Sequence, residues 1–288
     1  VDINSWKQKG KFLEIKGHSI FYIQRQTEQP TICFLHGYPS ASYDYYKILP
    51  FIENDFSYCF HDHPGFGFSS KIKDYSYSLI EQAEIAIELW RQAGLKEIHL
   101  VAHDYGCTVA NEIVVRKLQG FEPVKIKSVT FCNGSMHVEL ANLKWIQQIL
   151  AHPYWGKFAA KFSNEMLFVK SMRDIWYDKT KFDASEIKTL YKMLQLNSSD
   201  EVFHKISQYN NERRKYWYRW IGALKQINFP VHILWAQQDP VAVKAIAEQL
   251  FKEIPNATYT KIDQCGHYPM LEQPQEWINK VVDFIKKI

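Results

Sequence analysis

The stretch Glu97-Ile98-His99-Leu100-Val101-Ala102-His103-Asp104-Tyr105-Gly106-Cys107 decides how the rest of the chain is read. Ile98, Leu100, Val101 and Ala102 make an apolar, partly β-branched run of the kind expected for a strand buried on both faces. From Thr108 to Leu118 the pattern becomes helical, with Val109, Ile113 and Val114 on one side. A carboxylate, Asp104, stands at the junction. Ala102 and Gly106 lie two positions to either side of it, which is the small-x-acid-x-small spacing of a nucleophile elbow. A tight strand-to-helix turn has no room for large neighbours, and it sets a backbone N–H and a helix N-terminus beside the exposed side chain. Asp104 is therefore the candidate nucleophile. The competing reading is that it only caps the helix, since Asp is a favoured N-cap residue.

Upstream, Lys11 to Gln26 alternates around Gly17-His18 as an opening β-hairpin. Thr31 to Leu35 is a short apolar strand running into His36-Gly37-Tyr38-Pro39, and open α/β sheets bind ligands at such strand ends. An aromatic helix is expected over Tyr43 to Phe51, then a strand over Phe56 to Phe60 that ends in His61-Asp62-His63-Pro64-Gly65-Phe66-Gly67. The His-Asp-His run is too tightly spaced for a metal site and reads as a hydrogen-bonded loop. Gly65 and Gly67 lack the third glycine and ribose-binding acid of a dinucleotide loop. A helix over Leu79 to Gln92 precedes the organising strand, and Val124 to Cys132 is another strand, closing on Asn133-Gly134. Strand and helix alternate with short connections, the pattern of a mostly parallel sheet covered on both faces.

After Gly134 that alternation stops. Residues 136–228 contain no convincing strand, whereas helical patterns recur at Ile146–Leu150, Phe158–Phe168, Ile187–Leu194 and Val202–Leu224. An inserted helical cap domain over 136–228 is expected, on a core made of 1–135 and 229–288, and its aromatic content suits a lid over something apolar. The sheet resumes at Val231–Ala236, followed by Gln237-Gln238-Asp239-Pro240 and a helix near Val243–Phe251. The last strand, Ala257–Ile262, leads to Gly266-His267-Tyr268-Pro269, and a closing helix starts at Pro274.

Composition narrows the classes. With 288 residues, 46% hydrophobic and 15% aromatic, the chain can bury one large α/β core. A net charge of +4 is too small to imply nucleic acid. The basic cluster Arg213, Arg214, Lys215 and Arg219 is interrupted by Tyr and Trp and reads as a solvated helix face. Five cysteines without a CxxC pair read as reduced, mostly buried thiols. No run of about 18 apolar residues could span a membrane. Neither a membrane partner nor a signal peptide is expected; the expected location is cytoplasmic, and the expected state a monomer or homodimer.

Asp104, Asp239 and His267 each follow a predicted buried strand, at the end where such sheets do chemistry. In chain order they are nucleophile, acid and histidine, the order of the α/β-hydrolase triad.

On these residues the chain resembles the α/β-hydrolase superfamily, in particular the epoxide hydrolase and haloalkane dehalogenase group, whose elbow carries Asp. The matching pieces are His36-Gly37-Tyr38-Pro39, Asp62 through Ser69, His103-Asp104-Tyr105-Gly106, Asp239, and Gly266-His267-Tyr268-Pro269 with Glu272. Ser42-Tyr43-Asp44-Tyr45, Arg219-Trp220-Ile221-Gly222-Ala223-Leu224 and His267 to Glu272 look most like the mesoderm-specific-transcript branch.

An Asp nucleophile implies displacement at an sp³ carbon, an alkyl-enzyme ester, and hydrolysis of that ester by water activated by His267 and Asp239. The resemblance puts the oxyanion-binding N–H groups at Tyr38 and Tyr105, asks for no metal or organic cofactor, and implies small apolar substrates. The dehalogenases usually have a Trp after the nucleophile and an Asn after the His-Gly pair, where this chain has Tyr105 and Tyr38. Epoxide hydrolases protonate the opening ring with cap tyrosines. The family position of the second falls on Tyr209, about 30 residues before Asp239. Tyr154 is expected to be the first, with Tyr191 as its rival and as a pocket residue beside His36, Pro39 and His103. The expected reaction is opening of an epoxide to a vicinal diol. The alternatives are a haloalkane or haloacid dehalogenase, and a hydrolase-fold binding protein without turnover.

Overall fold

Eight strands form a single sheet in the order β1-β2-β4-β3-β5-β6-β7-β8. They are β1 (Lys11–Ile15), β2 (His18–Arg25), β3 (Thr31–Leu35), β4 (Ser57–His61), β5 (Glu97–His103), β6 (Lys125–Cys132), β7 (Val231–Ala236) and β8 (Thr258–Ile262). The computed structural model describes residues 2–152, 154–161, 164–196 and 200–288. β2 pairs antiparallel with both β1 and β4, and every pairing from β4 through β8 is parallel. β3, β4, β6 and β7 are almost wholly buried, as their apolar runs require.

Register lines up the chemistry. Leu35 faces Ala102, His103 faces Cys132, Cys132 faces Leu234, and Ala236 faces Ile262. The loops after β3, β5, β6, β7 and β8 therefore leave the sheet at one edge. The order reverses at β3, which lies between β4 and β5. Chain leaving β3 and β5 diverges there, opening the crevice in which such sheets bind ligands.

The core is strongly aromatic at its centre. Phe34 stacks on Phe60 at 4.7 Å and Tyr45 on Trp277 at 5.9 Å, joining β3 and β4 to the helix Pro274–Ile285. All five cysteines are free and buried. An N-terminal helix, Ile3–Gln8, has no counterpart in the sequence reading. It is six residues long, too short for periodicity to reveal, and is held by Asp2 at its N-cap and by the buried Trp6. The expected helix over Tyr43–Phe51 is instead a 3₁₀ turn, Ser42–Tyr45, and a short helix, Leu49–Ile52, because Tyr43 and Tyr45 turn into the core on opposite partners.

Between β6 and β7 the described residues hold helices and no strand: Trp145–Leu150, Trp155–Lys161, Glu165–Asp174, Ala184–Gln195, Asp200–Ile206, Tyr209–Lys215 and Trp217–Leu224. Ile146–Leu150 and Ile187–Leu194 each fall within one helix, whereas the other two sequence patterns are broken. Phe158–Phe168 divides into two helices, with positions 162 and 163 outside the described residues, and Val202–Leu224 into three. Glu112, fully buried on the helix Tyr105–Leu118, ties them to the sheet layers. It accepts two hydrogen bonds from Arg219 (2.7 Å each), and others from Trp220 (2.9 Å) and Arg116 (3.1 Å). Burial opposes its charge, but those donors hold the carboxyl below its ordinary range.

Candidate active site

The helix Tyr105–Leu118 begins directly on Asp104, and the turn between strand and helix is sharp. Asp104 has φ 43° and ψ −105°, a backbone that L residues rarely adopt. Two small residues make the turn possible. A Cβ on Gly106 would come 2.5 Å from the Leu35 carbonyl oxygen, and one on Gly134 would come 2.4 Å from the Cys107 Cβ. The Asp104 side chain makes no capping hydrogen bond to its own helix. Its Oδ2 instead accepts the Tyr38 backbone N–H at 3.0 Å, across the crevice between β3 and β5. That geometry favours the nucleophile reading over the helix cap.

Asp239 and His267 meet behind it. His267 Nδ1 lies 2.7 Å from Asp239 Oδ2, and Asn133 donates to the same oxygen at 2.8 Å. Asp239 Oδ1 accepts the N–H groups of Val241 (2.7 Å) and Ala242 (3.0 Å). The carboxylate is saturated with donors and fixed in direction, so it can orient the imidazole and stabilise its cation. Burial alone would lower the His267 pKa. The charge and hydrogen bond of Asp239 outweigh it, with help from Asp104, and the net shift is upward.

The loop that carries His267 is itself clamped. Its N–H donates to the Ile175 carbonyl at 3.0 Å, and Glu272 accepts the N–H groups of Gly266, Tyr177 and Asp178. His103 Nε2 donates to the His267 carbonyl at 2.8 Å, and its ring lies 5.0 Å from the His267 ring. Burial pushes His103 down to a pKa of about 4, so it acts as a neutral donor.

The helices between β6 and β7 supply the opposite wall. Tyr209 is buried, 5.0 Å from the Tyr38 ring and 5.4 Å from the Tyr105 ring. Its Oη accepts a hydrogen bond from Gln147 Nε2 at 3.3 Å. Burial, and then the charge of Asp104, push its pKa well above the ordinary tyrosine value, so it keeps its proton. Arg213 is also buried. Its guanidinium donates to the Asp104 carbonyl (3.1 Å), Thr108 Oγ1 (2.8 Å) and Asn210 Oδ1 (3.1 Å), and lies 3.9 Å from the Asp104 carboxylate and 4.7 Å from the Tyr209 ring centre. This corrects the solvated-face reading of the basic cluster: Arg214 and Lys215 are exposed, but Arg213 faces the elbow and Arg219 faces Glu112. A helix that buries one basic residue among exposed ones gives no sign of it in composition.

A cavity of about 300 Å³ opens beside these groups, with Tyr38, Pro39, Gln147, Phe168, Phe203 and His267 in its wall. Other expected pocket residues lie elsewhere. Tyr154 is 80% exposed and outside the cavity wall. Tyr191 packs behind Phe168 at 5.3 Å. His36 is a buried structural residue, with Nε2 accepting the His63 N–H and Nδ1 donating to the Gly37 carbonyl. His103 supports the backbone of His267 and is not in the wall either. Asp104 and Tyr209 adjoin the cavity through Tyr38, His267 and Gln147 without being part of its wall. Asn133 and Gln147 have no role in the sequence reading, and Arg213 has only that of a solvated residue. Only Asn133 left a signal, an amide at a strand end before glycine, and it has φ 47°.

With this geometry in view, similarity adds the family. A family model described as the α/β hydrolase fold matches residues 30–274. The chain belongs to the α/β-hydrolase family. The bovine mesoderm-specific transcript homolog protein is 32% identical over 293 residues, covering 98% of this chain and 88% of that one, which places this α/β hydrolase in the mesoderm-specific-transcript branch. Among solved structures, the Cif epoxide hydrolase from Acinetobacter nosocomialis aligns with a TM-score of 0.80 at 19% identity, over 96% of this chain and 88% of that one. The epoxide hydrolase CorEH aligns with a TM-score of 0.78 at 17% identity, over 96% and 98%. At these identities the two structures establish the α/β-hydrolase fold alone.

Proposed function

We propose that this α/β hydrolase is an epoxide hydrolase, with residues 136–228 acting as a cap over a core of 1–135 and 229–288. The observation that carries the reading is the hydrogen bond from the Tyr38 N–H to Asp104 Oδ2 on a strained elbow, beside a protonated, buried Tyr209. Because the Tyr38 N–H holds Oδ2, Oδ1 is the nucleophile; among the described residues it accepts no hydrogen bond, and it has the Arg213 guanidinium 3.9 Å away. Oδ1 attacks an epoxide carbon, the C–O bond of the ring breaks, and Tyr209 donates its proton to the departing alkoxide. Gln147 donates to Tyr209 Oη, which leaves the phenolic hydrogen free for the substrate.

His267 then takes a proton from water as the water oxygen bonds to the Asp104 carboxyl carbon. The charge that develops sits on Oδ2, where the Tyr38 N–H already lies, with the Tyr105 N–H at the helix start as the second donor. Collapse breaks the Cγ–Oδ1 ester bond; the departing alkoxide takes the proton of the new carboxyl group, which releases the vicinal diol and restores the carboxylate, and the proton held by His267 returns to the Tyr209 phenolate by way of water. His267 in its cationic form is stabilised by Asp239. Leu150, Phe168, Met172, Ile175 and Phe203 give the cavity an apolar wall, which suits an apolar epoxide.

The halide alternative finds less support. It calls for N–H donors on side chains near the leaving group, and the two positions concerned are Tyr105, packed among His63, Phe66 and Tyr209, and Tyr38, whose hydroxyl bonds Ser207 at 2.7 Å.

The test is the intact mass of a His267→Gln variant after exposure to a small epoxide and, separately, to a small alkyl halide. Without its base the ester accumulates on Asp104. A gain equal to the whole epoxide is expected. A gain of only the alkyl group from the halide would make the protein a dehalogenase, and no adduct with either would leave a hydrolase-fold binding protein without turnover on these substrates.

A further inference from the structure

The mouth of the cavity is unlike the rest of the surface. Helices Trp145–Leu150, Trp155–Lys161 and Glu165–Asp174 each contribute to its wall, through Trp145 and Ile149, Ala159, and Leu167 and Phe168. The same helices and the turn between the first two hold Trp145, Tyr154, Trp155, Phe158, Met166 and Leu167, each between 50 and 80% exposed. Single exposed apolar side chains are ordinary, but six of them within 23 residues, on three helices that all line one cavity and on one turn between them, mark a surface that is covered in use.

Charge indicates what covers it. From Lys144 to Asp174, the end of the third helix, the chain has five basic residues, Lys144, Lys157, Lys161, Lys170 and Arg173, and two acids, Glu165 and Asp174. That excess of three positive charges is the larger part of the net charge of +4 of the whole protein. Lys157 pairs with Glu201 at 3.2 Å, whereas among the described residues Lys161 and Lys170 have no carboxylate within ion-pair distance. Tryptophan and lysine together, on short helices with apolar side chains turned outward, are the composition of a face that lies in the headgroup layer of an anionic membrane. No helix among the described residues is long and apolar enough to cross a membrane. Lying in the interface requires none.

We propose that this face docks on anionic lipid surfaces, with Trp145, Trp155, Phe158, Met166 and Leu167 inserted at the level of the headgroups and the cavity mouth turned toward the acyl chains. Lysine stems extend along the apolar surface while their ammonium groups reach the lipid phosphates. An apolar substrate dissolved in the membrane would then enter the cavity without crossing water. The docking stands apart from the Asp104 chemistry, since none of the inserted residues takes part in it.

The experiment is co-sedimentation of the full chain with phosphatidylcholine vesicles, alone and with about one-third phosphatidylserine, read together with tryptophan fluorescence. Binding to the mixed vesicles with a blue shift is expected, along with weak binding to phosphatidylcholine alone and loss of binding as salt is raised. A Trp155→Ser/Phe158→Ser variant and a Lys161→Glu/Lys170→Glu variant should each bind about tenfold or more weakly. Neither pair lies in the cavity wall, so both variants should keep their circular dichroism and melting temperature. Asp104→Ala should bind vesicles like the parent, which separates failure of the docking from failure of the catalytic reading. The proposal is overturned if neither vesicle binds, if both variants bind as the parent does, or if light scattering finds a dimer that these substitutions dissociate, in which case a second copy covers the face.

Discussion

The two walls of the site are built differently. On the sheet side, Asp104, Asp239 and His267 follow β5, β7 and β8; a strained elbow fixes Asp104, two nearby N–H donors fix Asp239, and the His267 loop is pinned by Glu272 and by a tie to the insert at the Ile175 carbonyl. On the helical side, Tyr209 and Arg213 come from one seven-residue helix and are held by long-range packing on Tyr38, Tyr105 and Thr108. A strand end dictates where a side chain points. A short helix in an insert takes its orientation from whatever it packs on. The sheet side should therefore lose function sharply when a single group changes, and the helical side should lose it in proportion to how far its anchor moves.

The largest effect is expected from Asp104→Ala. Diol formation should fall by about 10⁴-fold or more, because no other group can form the ester. Circular dichroism should be unchanged: the variant loses the Tyr38 hydrogen bond and the carboxylate 3.9 Å from Arg213, but Arg213 keeps its bonds to the Asp104 carbonyl, Thr108 and Asn210. Turnover retained by this variant would remove the chemistry from the elbow.

Asp239→Asn should come next, with ester hydrolysis slowed by about 10³-fold. It also makes a claim about pH. His267 works as a base only when neutral, and its raised pKa means that hydrolysis should decline as pH falls through a value above the ordinary one for histidine. Removing the Asp239 charge takes away the main force raising that pKa, so in the variant the decline should move to lower pH. A pH–rate profile of single-turnover ester hydrolysis checks both the size and the direction, and a limb that stays in place would mean that Asp239 does not set the charge of His267.

The joint between the walls is the third target. Glu112→Ala leaves Arg219 and Trp220 without their acceptor on the sheet side. The expected loss is about 3 kcal/mol, the low end for breaking a buried ion pair, because Arg219 is partly exposed and can be rehydrated. Thermal unfolding should drop by about 6 °C. Because the His267 loop has its own ties to the helical side through Ile175 and Glu272, kcat with a saturating substrate should change little below the unfolding transition.

How far each wall was legible in the sequence follows the same division. Val231–Ala236 and the elbow strand could be read because buried parallel strands are continuous apolar runs, and the polar residue that ends such a run stands out. The helix Leu79–Gln92 has the same bounds in sequence and structure because Ser78 caps its start and Gly94, with φ 79°, follows its end. The helical insert gave helix as its type but not its breaks, since the interruptions inside Phe158–Phe168 and Val202–Leu224 leave the apolar periodicity on either side nearly in step. Arg213 was unreadable for a related reason: its neighbours Arg214 and Lys215 are solvated, and nothing local distinguishes the residue turned inward.

The smallest expected effects divide the helical wall against itself. Tyr209→Phe keeps the ring that packs on Tyr38 and Tyr105 and removes only the hydroxyl, so substrate binding should hold while ring opening slows by about 10²-fold. Tyr154→Phe should change ring opening by less than about twofold, since an exposed phenol outside the cavity wall cannot reach a substrate held beside His267. Single-turnover rates of ester formation in a His267→Gln background measure both without interference from the second step. Equal losses from the two variants would mean that the helices close over the substrate and bring Tyr154 inward, making the helical wall a moving part. A loss confined to Tyr209 would mean that this wall works as it stands, with one acid whose proton is kept by burial and whose position is kept by Arg213 and Gln147.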